Sequence, residues 1–116
     1  MKKIYYLKTC DTCKRILNSI NLDGFLLQDI KSTPISVKQL EEMQYFSGNY
    51  ESLFSRRAKK YKAMELKNHV LTEADIKQLI LDEYTFLKRP VIMFNDLIFI
   101  GNSKKNIENL IYNLGK

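Results

Sequence analysis

Cys10-Asp11-Thr12-Cys13 sets two thiols three residues apart, and they are the only cysteines in 116 residues. The run lies between a β-rich stretch and a helical one, a place where C-x-x-C serves redox chemistry more readily than a structural bridge. The attacking species in such chemistry is the thiolate. A cysteine at a helix amino terminus faces unpaired N–H groups and the positive end of the dipole, which favour ionisation. Lys8, Lys14 and Arg15 push the same way and Asp11 opposes them. Cys13 is in helical phase with Ile16, Leu17 and Ile20, so burial is expected for it and exposure for Cys10. That difference makes Cys10 the nucleophile and Cys13 the resolving thiol. Two alternatives stay open: half of a zinc site, and a pair of inert buried thiols. The zinc reading has only His69 and carboxylates to complete it, with no second C-x-x-C, so no metal is expected. His69, beside Lys67-Asn68, reads as a surface residue.

The elements that must carry this pair follow from the surrounding pattern. Lys2 to Lys8 reads as a first strand, and the helix after the cysteines runs to about Asn21. Asp23-Gly24 breaks the chain before a second strand over Phe25 to Ile30, which makes a βαβ unit with parallel strands. Ser36 and Gln39 have capping-box spacing, and Val37, Leu40 and Met43 then share one face of a helix that ends before Ser47-Gly48-Asn49. Tyr50 to Lys67 is mostly helical in character but weakly patterned. Thr72 opens a better helix with Ile76, Leu79, Ile80 and Leu87 on one stripe and Glu73 and Asp75 in its first turn. Arg89-Pro90 stops it. Val91 to Phe94 and Leu97 to Ile100, joined by Asn95-Asp96, form a hairpin with a two-residue loop, both strands apolar enough for burial on two faces. A last helix carries Ile107, Leu110, Ile111 and Leu114 on one face, and Gly115 fits its end. The expected fold class is α/β: a thioredoxin-like fold whose four-stranded mixed sheet (βαβ…ββα) carries a helical insertion at about 35–88, all in one domain of 116 residues.

Composition excludes other classes. Hydrophobic content of 45% and charged content of 28% are ordinary for a globular chain. No apolar run is long enough to span a bilayer, and the amino terminus is too soon interrupted for a signal peptide. A cytoplasmic, monomeric protein away from membranes is the expectation. The net charge is +6, and Arg56, Arg57, Lys59, Lys60, Lys62 and Lys67 stand against Glu65 alone, a local +5. Such a run is either a solvated face or a site for an oxyanion, an acidic partner protein or nucleic acid. Nucleic acid is the weakest of these, because Tyr61 is the one aromatic inside the run and stacking would be thin.

With these residues in place, the chain resembles the arsenate reductase/Spx family. The resemblance rests on Tyr6-Leu7-Lys8-Thr9-Cys10-Asp11-Thr12-Cys13-Lys14, on Ser55-Arg56-Arg57-Ala58, and on Leu87-Lys88-Arg89-Pro90-Val91-Ile92 followed by Phe99-Ile100-Gly101. It implies a thioredoxin fold with a helical insertion and a catalytic Cys10. It also implies oxyanion-holding arginines, one matching Arg89, and a cis Pro90 beside the cysteine motif. Arg57 matches the arginine of the insertion motif, and Lys62, Thr9, Thr12 and Pro90 complete the expected substrate or oxyanion contacts. Tyr61 stands where the reductases carry a second arginine, and near Gly101 the third has no basic counterpart. The C-x-x-C pair is the pattern of Spx-type regulators, whereas the end of the chain soon after the last helix is unlike them.

Two functions follow as expectations. One is a small thiol–disulfide oxidoreductase whose oxyanion or glutathione-linked substrate is held by Arg89. It would bind no cofactor and be reduced by glutathione with glutaredoxin, or by thioredoxin. The other is a redox switch that binds the RNA polymerase α subunit, with Gly48, Arg56, Lys59 and Lys60 on the partner surface.

Overall fold

Strands β1 (Lys3–Tyr6), β2 (Leu26–Asp29), β3 (Val91–Phe94) and β4 (Leu97–Ile100) form one sheet in the computed structural model, which describes residues 2–115. Their order across the sheet is β2-β1-β3-β4. β1 and β2 are parallel, as a βαβ crossover requires, while β1 pairs antiparallel with β3 and β3 antiparallel with β4. The mixed four-stranded sheet expected from the sequence is therefore present. The crossover is helix α1 (Asp11–Asn18). The hairpin turns through Asn95 and Asp96 with φ of 51° and 60°. Two left-handed residues give a turn whose twist matches that of the strands, and Asn and Asp tolerate that region better than most.

The remaining helices are α2 (Val37–Ser47), α3 (Lys59–Ala63), α4 (Glu73–Asp82) and α5 (Lys104–Leu114). The chain divides into two compact units, one running to Thr33 and resuming at Arg89, the other Pro34–Lys88. In the first, Ile4, Ile16, Leu17, Phe25, Ile92, Phe94, Phe99 and Leu110 form a buried cluster, with Phe94 stacked on Phe99 at 5.4 Å and edge-on to Phe25 at 6.0 Å. The alternation of Ile4, Ile92 and Phe94 with their neighbours sends these side chains to one face of the sheet, against α1 and α5 residues.

In the second unit, α2 and α4 each begin with a capping box. The Ser36 hydroxyl accepts from the Gln39 N–H while the Gln39 side chain accepts from the Ser36 N–H, and Thr72 and Asp75 repeat the arrangement. Phe54 stacks on Phe86 at 5.2 Å, and Phe54 and Leu87 form an isolated antiparallel bridge.

Several expectations change. α1 stops at Asn18 rather than about Asn21, because the Ser19 hydroxyl and N–H both turn back onto the Ile16 carbonyl. Leu87 is buried but not on the α4 stripe: the helix ends at Asp82, Glu83 is extended, and a 3-10 turn at Tyr84–Phe86 carries Leu87 to its bridge with Phe54. Val37, in the first turn of α2, and Ile111 of α5 are about half exposed instead of facing the core. β3 is buried at every position, whereas β4 is not, since it is the sheet's edge and Leu97 is 41% exposed. The stretch from Tyr50 to Lys67 breaks into α3 and 3-10 turns at Glu51–Leu53 and Leu66–Asn68. No helix of the described residues is long and apolar enough to cross a membrane.

Candidate functional site

Cys10 is the N-cap of α1, with extended backbone angles, and its carbonyl accepts the Lys14 N–H at 3.1 Å. Its own N–H donates to the Leu7 carbonyl at 3.1 Å, which closes the loop between β1 and α1 into a tight turn. This is the position at which Ser or Asp side chains ordinarily accept from a helix's free N–H groups. Three residues on, Cys13 joins Ile16 and Leu17 on the buried side of α1 and is fully buried. Cys10 is half-buried rather than freely exposed, yet the asymmetry expected from the helical phase is present.

The two thiols ionise in opposite directions. Partial burial opposes the Cys10 thiolate, but hydrogen bonding from the Cys13 backbone and thiol, the positive Arg89 guanidinium and the Thr12 backbone together outweigh it. Cys10 is held below its ordinary value. Burial pushes the Cys13 thiol up to about 11, against hydrogen bonding from the Leu7 backbone, and the neighbouring Cys10 sulfur adds to the rise. The surroundings thus favour negative charge on the Cys10 sulfur over the Cys13 sulfur, which holds its proton to higher pH. Both cysteines are unbridged. Arg89 acts on both sulfurs. Lys14 and Arg15, the cations close in sequence, are exposed, where water screens them.

Arg89 comes to the cysteines through the sheet. Tyr5 pairs with Val91, so the chain entering β3 passes the end of β1 from which the cysteine loop departs. The Arg89–Pro90 peptide is cis, as the resemblance implied, and Pro90 is buried with its carbonyl accepting the Gly101 N–H at 2.9 Å. Thr9 is exposed and Thr12 half-buried in the first turn of α1. Cys10, Cys13, Arg89, Pro90, Thr9 and Thr12 thus all belong to the first unit.

The other candidates belong to the Pro34–Lys88 unit. Gly48 caps α2 in the left-handed region at φ 94°. Arg56 pairs with Glu51 at 3.1 Å and lies over the Phe54 ring. Arg57, Lys59, Lys60 and Lys62 are exposed, and so is His69. One group near the cysteine loop escaped the sequence reading. Asp29 ends β2, and its carboxylate accepts the Lys8 N–H at 3.1 Å and the Ser32 hydroxyl at 2.8 Å. An acidic residue at a strand's end with Ser32 three residues on was the available signal.

Comparison with known proteins agrees with this architecture. The chain is 24% identical over 110 residues to the global transcriptional regulator Spx of Streptococcus mutans, an alignment spanning 92% of this chain and 80% of that protein. Among solved structures, an arsenate reductase from Vibrio cholerae superposes with a TM-score of 0.73 at 18% identity, covering 96% of this chain and 95% of the other. The protein SACOL0876 from Staphylococcus aureus superposes with a TM-score of 0.75 at 24% identity, covering 94% and 97%. Those structures share the thioredoxin-like fold described above. The model of the ArsC family matches residues 5–110, nearly the whole length, and the chain belongs to that family.

Proposed function

We propose that the chain is a small thiol–disulfide oxidoreductase acting on an oxyanion or a glutathione-linked substrate. The observation that carries this reading is the unequal pair: a half-buried Cys10 favoured as thiolate, a buried Cys13 that keeps its proton to about 11, and the Arg89 charge beside them. With a glutathione mixed disulfide, the Cys10 thiolate attacks the glutathione sulfur, a Cys10–glutathione bond forms, and the substrate leaves as its thiolate. Cys13 then loses its proton and attacks the Cys10 sulfur, forming the Cys10–Cys13 disulfide and releasing glutathione thiolate. Two electrons have passed to the substrate. An external thiol reductant, glutathione with glutaredoxin or thioredoxin, restores the dithiol.

Arg89 supplies a planar, permanently charged donor for a carboxylate or oxyanion and lowers the cost of negative charge on sulfur. Thr9, Thr12 and Pro90 are the proposed neighbours of the bound group. Arg57, which matches the insertion motif Ser55-Arg56-Arg57-Ala58, and Lys62, beside Tyr61, are further oxyanion candidates. Purified protein is to be assayed with arsenate and with a glutathione mixed disulfide, each with the glutathione/glutaredoxin and thioredoxin systems. Turnover is expected to vanish in Cys10→Ser. Cys13→Ser is expected to stop at a glutathione adduct on Cys10, visible by mass spectrometry. No Cys10-dependent turnover with any combination overturns the reading.

A second reading is a redox-switched regulator, favoured by the similarity to Spx and by an exposed basic run on the second unit. Its proposed partner is the RNA polymerase α subunit, met by Gly48, Arg56, Lys59 and Lys60. Binding of the purified α subunit to oxidised and reduced protein decides it, and equal binding in the two states rejects a switch.

A further inference from the structure

Beyond Tyr6 the first strand leaves the sheet, and its backbone loses the partners that β2 and β3 provide. Two residues later comes Lys8, and two after that the nucleophile. The Lys8 N–H is received by Asp29 Oδ1 at 3.1 Å. Asp29 is itself held from several sides. Its Oδ2 accepts the Ser32 hydroxyl at 2.8 Å and the Ser32 N–H at 3.4 Å, and its carbonyl accepts the Thr33 N–H at 2.9 Å. The next residue, Ile30, donates its N–H to the Tyr6 carbonyl at 2.9 Å, which locks the end of β2 to the end of β1. A fixed carboxylate therefore meets the loop at Lys8, between Leu7, whose carbonyl turns the chain, and Cys10, whose N–H donates to that carbonyl.

We propose that Asp29 is a positioning residue for Cys10: its carboxylate pins the Lys8 backbone so that the Cys10 sulfur is held at the α1 terminus, against Cys13 and Arg89. The inference rests on the oxidoreductase reading for its use, but its geometry is independent of any substrate. Burial works against the Asp29 charge, yet hydrogen bonds from the Lys8 N–H, the Ser32 hydroxyl and N–H and the Lys31 N–H outweigh it and hold the carboxyl below the usual carboxylate range. Asp29 is thus an ionised acceptor at neutral pH, the stronger kind.

The sign of the effect separates positioning from simple charge. A nearby negative charge disfavours a thiolate, so removing Asp29 as a charge alone makes Cys10 more reactive. Removing it as a brace frees the loop, and Cys10 loses the aligned donors that favour its thiolate. Asp29→Ala abolishes the acceptor. Asp29→Asn removes the charge but keeps an amide oxygen for the Lys8 N–H.

The test is the rate of Cys10 alkylation by iodoacetamide against pH, followed by mass spectrometry on the reduced full chain. Asp29→Ala is expected to slow the reaction at pH 7 by about 3- to 10-fold and to shift its titration to higher pH. Asp29→Asn is expected to stay within about 2-fold of the unmodified protein. Ile107→Ala, which trims a part-buried α5 side chain in the same unit, is the control: it lowers the denaturation midpoint and leaves the Cys10 profile in place. Equal or faster alkylation in Asp29→Ala overturns the proposal, as does an Ile107→Ala profile displaced as far as that of Asp29→Ala. Should Asp29→Ala not fold, amide exchange in the unmodified protein still decides, because a Lys8 amide exchanging as freely as an unstructured one is incompatible with the brace. Failure of this inference is distinguishable from failure of the reading beneath it: a Cys10 that titrates as an ordinary thiol in the unmodified protein undoes the oxidoreductase reading itself.

Discussion

Two identical thiols three residues apart acquire opposite tendencies because one caps a helix and the other packs beneath it. Cys10 has hydrogen-bond donors and a guanidinium beside it, while Cys13 shares the buried side of α1 with Ile16 and Leu17 and keeps its proton through burial. That retention has a consequence for stability. Cys13 in the fold ionises only near 11, whereas in the unfolded chain it ionises near the ordinary 9.0. Between these values the unfolded chain has released a proton that the native one still holds, so unfolding becomes more favourable as pH rises. Cys10 has the reverse sign, since its depressed value adds stability above its native titration, and that contribution is complete once the unfolded thiol has ionised. The reduced protein is therefore expected to lose stability between pH 9 and about 11, with Cys13 accounting for up to about 2 kcal/mol of the loss. Urea unfolding across that range, compared with Cys13→Ala, isolates the term from the lysines and tyrosines that titrate alongside. An equally steep decline in Cys13→Ala would show that the buried thiol is not its source.

The elements that hold these residues are specified to different degrees by local chemistry. The capping box of Ser36 and Gln39 and the Asn95-Asp96 turn are read directly from residue type and spacing, and both form as read. Gly48 closes α2 at φ 94° with nothing within 4 Å of where a Cβ would stand, so its role there is conformational rather than a close approach. Gly48→Ala is accordingly expected to cost about 1 kcal/mol in urea unfolding, the penalty of a side chain in the left-handed region. A wild-type midpoint would mean that the cap rearranges without cost. Burial of Cys13 was legible because helical phase ties it to Ile16 and Leu17. The place of Leu87 outside α4 was not, since its partner Phe54 lies far off in sequence and α4's period continues past the point where Glu83 turns the chain. Val37 and Ile111 fit their helical stripes but sit where no core covers them, a fact that belongs to packing and not to period. The meeting of Arg89 with Cys10 is likewise a product of sheet order: only the pairing of Tyr5 with Val91 brings the segment before β3 to the cysteine loop. Residue spacing carries no trace of that pairing, and the family resemblance supplied it.

Across the whole chain, charge is distributed unevenly between chemistry and surface. Arg89 is half-buried and acts on both sulfurs, so its charge belongs with the cysteine pair. Most of the excess lies elsewhere, in the exposed run of the Pro34–Lys88 unit. There Arg56 is paired with Glu51, whereas Arg57, Lys59, Lys60 and Lys62 make no ion pair among the described residues. Exposed cations of this kind contribute little to stability and are free to act on an anionic partner at a range set by salt. The two functional readings use that surface differently. For a thiol oxidoreductase, Lys59 and Lys60 are bystanders, and reversing them (Lys59→Glu with Lys60→Glu) is expected to change the Cys10-dependent reduction of a glutathione mixed disulfide by less than about 2-fold, within what a screened surface charge does. For a regulator, the same pair of substitutions removes attraction to an acidic partner, and binding of the RNA polymerase α subunit falls while thiol turnover stays. Steady-state turnover and α-subunit binding measured on one preparation, at low and physiological salt, separate the cases. A ten-fold fall in turnover on reversal would instead tie the basic run to the substrate, since a charge screened by salt does not change turnover that far on its own.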